Sequence, residues 1–276
     1  MGQSEKGDIF MTEIITSKDN PTVKLYRKLS ESRKERKNLK MFVLEGLRLV
    51  TDAVNENADI VTLILTQDAS SRFKEQLSQA DLKERKIIVI SNELGTKISM
   101  TEKTQGVFAI CREKQPLQLE KCIKTSGKYI ILYQLQDPGN AGMIIRTADA
   151  MGINGLIFSE SCDIFSPKTI RATMGSIFRI PVWNNQNIDE VIRIFKEKNI
   201  EILASVIDAD AESIKEHNFK DGCGVIIGNE GNGVPKEISA ECDGRLTIKM
   251  HGNINSFNAA MATGIIMWEM TDQTDG

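Results

Sequence analysis

Long apolar runs are missing from this sequence of 276 residues, so no segment is a candidate membrane span. The first residues also lack a hydrophobic secretory core, and a cytoplasmic protein is the expectation that follows. Histidine is almost absent: His217 and His251 stand alone without a partner at ligand spacing, and no catalytic metal is expected. Five cysteines (Cys111, Cys122, Cys162, Cys223, Cys242) include no CxxC pair. Their odd number suits neither a disulfide framework nor a zinc site, which leaves reduced, structural thiols. Aromatic residues are few, and internal repeats and low-complexity tracts are absent.

What is present reads as an ordinary globular chain long enough for two domains. The net charge of -3 opposes a nucleic-acid partner only if charge is evenly spread, and it is not. Lys24, Arg27, Lys28, Arg33, Lys34, Arg36, Lys37 and Lys40 crowd one segment, opposed by Glu31 and Glu35. Such a run is either a solvated helix face or a phosphate-binding surface, and local basic density engages phosphates even on an acidic protein.

Taken in order, residues 1–11 are polar and aperiodic, a flexible tail. Asp19 or Asn20 caps a helix with Pro21 in its first turn, and this basic helix runs to about Asn38. Strands are expected at 41–44, 60–65, 86–91 and 106–110, and helices at 46–55, 70–79 and 93–100, making a small α/β domain over 12–112. A linker with Pro116 spans 113–127. From 128 onward, strand patterns at 129–133, 155–158, 202–207, 224–227 and 246–250 alternate with helices, including 188–198. That alternation implies a largely parallel sheet.

Two strand ends lead into small-residue polar loops, Gly228-Asn229-Glu230-Gly231-Asn232-Gly233 and Gly252-Asn253-Ile254-Asn255-Ser256-Phe257-Asn258, the second opening a closing helix that reaches about Met270. In open α/β sheets ligands sit beyond the carboxyl ends of strands. The glycine spacing is not the dinucleotide fingerprint, and no Gly-Lys-Ser or Gly-Lys-Thr follows it, so a P-loop is disfavoured. The loop by itself is equally a tight turn.

Three segments together resemble the signature motifs of the SpoU (TrmH-type) branch of the SPOUT RNA methyltransferases: Asp137-Pro138-Gly139-Asn140 with Gly142 and Arg146; Gly228-Asn229-Glu230-Gly231 with Gly233; and Ser256-Phe257-Asn258 after Ile248-Lys249-Met250. Arg171-Ala172-Thr173-Met174-Gly175 is similar to a fourth, with Thr173 in place of serine. Lys249 stands where proline is common and Phe257 where leucine is. The resemblance covers about 128–271. Residues 14–24 and 42–49 look like the family's N-terminal substrate-binding domain, which is similar to a small ribosomal-protein fold.

The resemblance implies an α/β fold of SPOUT type, a parallel sheet ending in a trefoil knot, with S-adenosylmethionine held in it. It also implies a homodimer. By position Gly228, Ile248 and Phe257 become cofactor contacts, and the reaction is methyl transfer to a ribose 2'-hydroxyl of RNA, ribosomal in preference to transfer RNA. Lys24, Arg27, Lys28, Arg33, Lys34, Arg36, Lys37 and Arg171 become RNA contacts, whose binding is salt-sensitive. Alignment of methyl and hydroxyl supplies about 7 to 11 kcal/mol in favourable cases.

Arg146 is the family's candidate for activating that hydroxyl. A guanidinium stays protonated, so a role in orienting phosphate and stabilising the alkoxide fits it better than that of free base. Asn140 is either a helix cap or the residue that holds Arg146 and the RNA. Glu230 is either a solvated carboxylate or one fixing Arg146 or neighbouring backbone, and Ser256 and Asn258 are caps or pocket organisers. His251, beside the third motif, is incidental. A non-catalytic dimeric RNA-binding protein and a nucleotide-using enzyme with a glycine-loop phosphate site are the competing readings.

Overall fold

The computed structural model describes residues 13–79, 85–114, 118–219 and 222–272. The tail expected at 1–11 and the centre of the expected linker, with Pro116, lie outside the described residues. Contacts divide the chain into one unit of residues 1–114 with 165–167 and a second of 115–164 with 168–276. Among the described residues no helix is long and apolar enough to cross a membrane.

In the first unit α1 (Pro21–Glu31), α2 (Arg33–Leu39), β1 (Met41–Glu45), α3 (Leu47–Asn55), β2 (Ile60–Thr66), α4 (Gln67–Arg72), α5 (Lys74–Gln79), β3 (Lys86–Ile90), α6 (Asn92–Ile98) and β4 (Val107–Arg112) follow in order. The sheet runs β1-β4-β2-β3; β4 is antiparallel to both neighbours and β2 is parallel to β3. Asn20 is the cap of α1, its side chain accepting from the N–H groups of Thr22 and Val23. Val23, Tyr26 and Leu29 share one helical face and pack on Val43, Ile64, Ile90, Phe108 and Ile110. Lys24, Arg27 and Lys28 are left on the exposed side, where Lys24 meets Asp19 at 2.8 Å and Arg27 meets Glu31 at 3.6 Å.

The basic segment is not one helix. Ser32 is extended (φ -116°, ψ 112°), its hydroxyl accepts from the N–H of Glu35, and α2 starts afresh. Arg36 also departs from its expected place among the RNA contacts. It is 5% exposed, and its Nη1 donates to the carbonyls of Leu29 and Ser30, the latter at 3.2 Å. Its guanidinium satisfies the orphan carbonyls that end α1, so it is withdrawn from the surface the basic run offers. Arg33, Lys34, Lys37 and Lys40 are exposed.

The second unit contains α7 (Leu119–Cys122), β5 (Lys128–Tyr133), α8 (Pro138–Ala150), β6 (Gly155–Ser159), α9 (Pro167–Thr173), β7 (Val182–Trp183), α10 (Ile188–Glu197), β8 (Glu201–Ser205), β9 (Glu212–Ser213), β10 (Cys223–Ile227), α11 (Lys236–Ala240), β11 (Gly244–Thr247) and α12 (Ala259–Asp272). Every strand pair in its seven-stranded sheet, β7-β6-β5-β10-β8-β11-β9, is parallel. Ile188, Val191, Ile192, Ile194 and Phe195 of α10 pack on Tyr129, Ile131, Ile202 and Ile226 of the sheet. β10 lies between β5 and β8 although it follows both in the chain, so the loops leaving β5 and β10 emerge side by side.

Two strand ends differ from the sequence reading. β8 and β11 stop at Ser205 and Thr247, short of the expected 207 and 250, because each pairs along only part of its apolar run. The closing helix begins at Ala259, directly after the 252–258 loop; Asn258 accepts from the N–H groups of Ala260 (2.9 Å) and Met261 (3.3 Å) and is its cap. At the far end, buried Lys128 donates from Nζ to the Met270 carbonyl and holds the last turn of α12.

Arg36→Gln is predicted to lower stability by about 1–3 kcal/mol, since it strips buried carbonyls of their donor. Lys37→Gln is predicted to change it by less than about 0.5 kcal/mol. Urea unfolding of the two variants checks this; equal effects would contradict the placement of Arg36.

Candidate active site

The loop after β10 is held shut by its first polar residue. Asn229 and Gly233 exchange backbone hydrogen bonds of 3.2 and 2.8 Å, and the Asn229 side-chain oxygen accepts from the N–H groups of Gly231 (2.9 Å) and Asn232 (3.0 Å). The other end of that amide donates to the Gln134 carbonyl at 3.0 Å, stitching the loop to the exit of β5. Gly228 has no room for a side chain: a Cβ there would stand 2.1 Å from the Gly233 carbonyl carbon. Because the N–H groups of Gly231 and Asn232 are spent on Asn229, they are not a free cradle for phosphate, and the glycine-loop phosphate site loses its donors.

Glu230 is engaged on both oxygens. One accepts from the Gln136 N–H at 3.0 Å, the other from the Asp137 N–H at 3.0 Å and the Asn140 side-chain amide at 3.1 Å. Partial burial pushes its pKa up, but the backbone N–H groups of Asp137 and Gln136, with the Asn140 amide, outweigh that and leave it below the ordinary value of 4.5. Asp137, and not Asn140, caps α8: its Oδ1 accepts from the Asn140 N–H at 2.8 Å and its Oδ2 pairs with Lys168 at 3.1 Å. Those contacts, the Asn140 N–H first, hold the Asp137 carboxyl below its ordinary range.

Asn140, 8% exposed, instead bridges two loops. An ionised carboxylate only accepts, so Nδ2 of Asn140 faces Glu230, and Oδ1 is turned to accept from Nδ2 of Asn258 at 3.0 Å. The Asn258 oxygen is left for the first turn of α12. The order Glu230, Asn140, Asn258, α12 thus fixes both amide orientations by elimination, and one chain of hydrogen bonds joins the loops after β5, β10 and β11.

Beside this chain lies a cleft of about 810 Å³, lined by the exit of β8, the 227–234 loop, α11, β11 and the 248–257 loop. Gly228, Ile248, Phe257, Glu230 and Ser256 line it; Asn140, Asn258, Arg146 and Arg171 do not. Ser256 is exposed. Arg146 is exposed on α8 and has no hydrogen-bond or ion-pair partner among the described residues, and Nη1 of Arg171 is buried without an acceptor. The side chain of Glu230 therefore reaches backbone and Asn140 rather than Arg146. Asp208 and Arg245, 2.6 Å apart, form an ion pair at the cleft edge that no local motif announced. Asn229 lay within a quoted motif, but only the fold shows what it bonds. Cys242 also lines the cleft, but burial pushes its thiol up to about 11, which rules out a thiolate nucleophile at neutral pH. His251 is exposed outside the lining, and His217 packs edge-on against Phe219 with Glu212 at 2.9 Å.

A depressed carboxylate stabilises the fold above its unfolded pKa, and that contribution is lost as pH falls through the folded value. Urea midpoints recorded between about pH 3 and pH 7 should therefore fall in acid for the native chain and fall less steeply for Glu230→Gln. Parallel curves for the two proteins would show that Glu230 gains nothing from its three donors.

Residues 127–268 match the model of the SpoU rRNA Methylase family, and residues 20–109 match that of the MRM3-like substrate binding domain. The 23S rRNA (guanosine(2553)-2'-O)-methyltransferase RlmP of Bacillus subtilis (strain 168) is 30% identical over 93% of this chain and 98% of its own. An AdoMet-bound rRNA methyltransferase from Sinorhizobium meliloti superposes with a TM-score of 0.84 and 31% identity, covering 94% of this chain and 97% of that one. The SpoU methyltransferase AviRb from Streptomyces viridochromogenes, at 24% identity and a TM-score of 0.83 over 93% and 99% of the two chains, shares the fold.

Proposed function

Because the chain belongs to the SpoU rRNA methylase family, we propose that it transfers a methyl group from S-adenosylmethionine to a ribose 2'-hydroxyl of RNA, ribosomal RNA in preference to transfer RNA. The observation that carries this reading is the cleft at Gly228, Ile248 and Phe257, bordered by the Glu230–Asn140–Asn258 chain. Its volume suits a nucleoside-sized ligand, and it offers apolar Val234, Ile248 and Phe257 beside the Ser256 hydroxyl and the Asp208 carboxylate. Those residues fit the cofactor's mix of flat base, sugar and charged amino-acid end.

S-adenosylmethionine, when bound, supplies a methyl carbon already activated by its sulfonium. The chain has to align the attacking hydroxyl and manage its proton. Asn140, Glu230 and Asn258 spend their side-chain hydrogen bonds within the protein, so they act as positioning residues. A carboxylate held below its ordinary range is also a poor proton acceptor, which argues against Glu230 as base. Arg146 and Ser256 are the groups left facing outward. Arg146 orients the phosphate beside the target ribose and stabilises the developing alkoxide.

The RNA is gripped in part by Lys24, Arg27, Lys28, Arg33, Lys34 and Lys37 of α1 and α2, within the segment that matches the substrate-binding model, and by Arg171. We read the active form as a homodimer acting in the cytoplasm. The inner side of α12 packs on α8, while Met261 and Trp268 of α12 and Met143 of α8 stay exposed, an apolar surface suited to a second copy. No residue of α8 lines the cleft, so pairing across this face lets Arg146 of one protomer serve the cleft of the other. The place of β10 between two earlier strands, with β11 beyond β8, supports the trefoil knot.

Arg146→Ala is predicted to lower methyl transfer to ribosomal RNA by at least about 100-fold while leaving calorimetric S-adenosylmethionine affinity within a factor of about two. Retained activity would remove Arg146 from the reaction. Trp268→Glu is predicted to sediment as a monomer and to lose transfer; a dimer that persists with an unchanged sedimentation coefficient would move the interface elsewhere.

A further inference from the structure

Helix α9 holds two cations that the chemistry at the cleft does not use. Thr169, Ile170 and Thr173 are buried, which leaves Lys168 and Arg171, three residues apart, along the outer edge. The helix is pressed onto α8 at Gly142, where a Cβ would lie 2.4 Å from that of Ala172 and 2.7 Å from the Thr169 carbonyl oxygen. Only glycine permits that approach. Gly142 and Arg146 are four residues apart and share one face of α8, so the side of α8 turned to α9 also bears Arg146.

The three cations are poorly neutralised. Arg146 has no partner among the described residues, Arg171 has a buried Nη1 without an acceptor, and Lys168 has the half-exposed carboxylate of Asp137 at 3.1 Å. A desolvated guanidinium N–H with nothing to donate to is costly, and because the Arg171 side chain as a whole is only partly buried, turning it outward to an incoming oxyanion removes that cost. None of the three lines the cleft of its own protomer.

We propose that α9 is a phosphate-gripping helix of the catalytic unit, in which Lys168 and Arg171 hold the RNA backbone beside the ribose served by Arg146. The inference rests on the methyltransferase reading for the identity of the polyanion and adds Lys168 to the residues that position it. Lys168 exchanges Asp137 for a phosphate oxygen on binding, and Arg171 gains its missing acceptor. The grip is separate from that of α1 and α2 and reports through salt dependence.

The test is fluorescence anisotropy of a labelled oligouridylate on the full chain across a salt series. Each of Lys168→Gln and Arg171→Gln should lower the slope of log affinity against log salt by about 0.7, and the double variant by about twice that. Lys168→Arg should keep the native slope, as should Lys196→Gln, a charge-matched change at an exposed position of α10. Calorimetry with S-adenosylmethionine should give native affinity for all four single variants. A double variant with the native slope, or a Lys196→Gln slope reduced as much as that of Lys168→Gln, would overturn the proposal. Failure of the native chain to bind S-adenosylmethionine would instead overturn the methyltransferase reading, with the slopes still deciding whether α9 grips phosphate.

Discussion

Glu230 stands at the end of β10 with its carboxylate turned back onto the start of α8, where two backbone N–H groups and one side-chain amide converge on it. That convergence is possible because β10 lies next to β5, which is a property of the sheet order and not of either loop. Remove the carboxylate and Asn140 has no reason to present its carbonyl to Asn258, and Asn258 loses one of the bonds that fix it above α12. The cleft has walls in a defined place because this chain of acceptors and donors has only one consistent arrangement.

A division of labour follows from the same bonds. In the proposed reaction, groups whose polar atoms are consumed inside the protein set geometry, and groups left unpaired meet the substrate. Glu230, Asn140, Asn229 and Asn258 belong to the first kind, Arg146 and Ser256 to the second. The positioning set is spread over the exits of β5, β10 and β11, so a shift in any one of these loops is felt at the others. Catalysis by alignment needs that stiffness, since the chain must place a weak nucleophile against an activated carbon with little general-base help.

Local chemistry made much of the fold legible. Asn20-Pro21 marked the start of α1, and alternation of apolar runs with helices marked the parallel sheet. The break at Ser32 was also written in the chain as Ser32-Arg33-Lys34-Glu35, a capping-box spacing masked by the continuous run of basic residues. Strand order, the buried end of Arg36 and the two-residue strands β7 and β9 were not legible, because each depends on pairing between distant segments. At the candidate site the motifs named loops that the fold brings together. Asp137 as the cap of α8 follows from the local Asp137-Pro138 pattern, as the cap of α1 does from Asn20-Pro21, but that Glu230 points at backbone could not be read, because it depends on β5 and β10 being neighbours.

The central claim, that this cleft delivers a methyl group to a ribose oxygen, is tested most directly by the chemical position of the label. Purified protein is incubated with methyl-labelled S-adenosylmethionine and ribosomal RNA lacking its native modifications, and the product is hydrolysed in alkali. Methylation of a 2'-hydroxyl blocks cleavage at the adjacent phosphodiester, so the account predicts label in alkali-stable dinucleotides. Label released in mononucleotides would place the methyl on a base and contradict it.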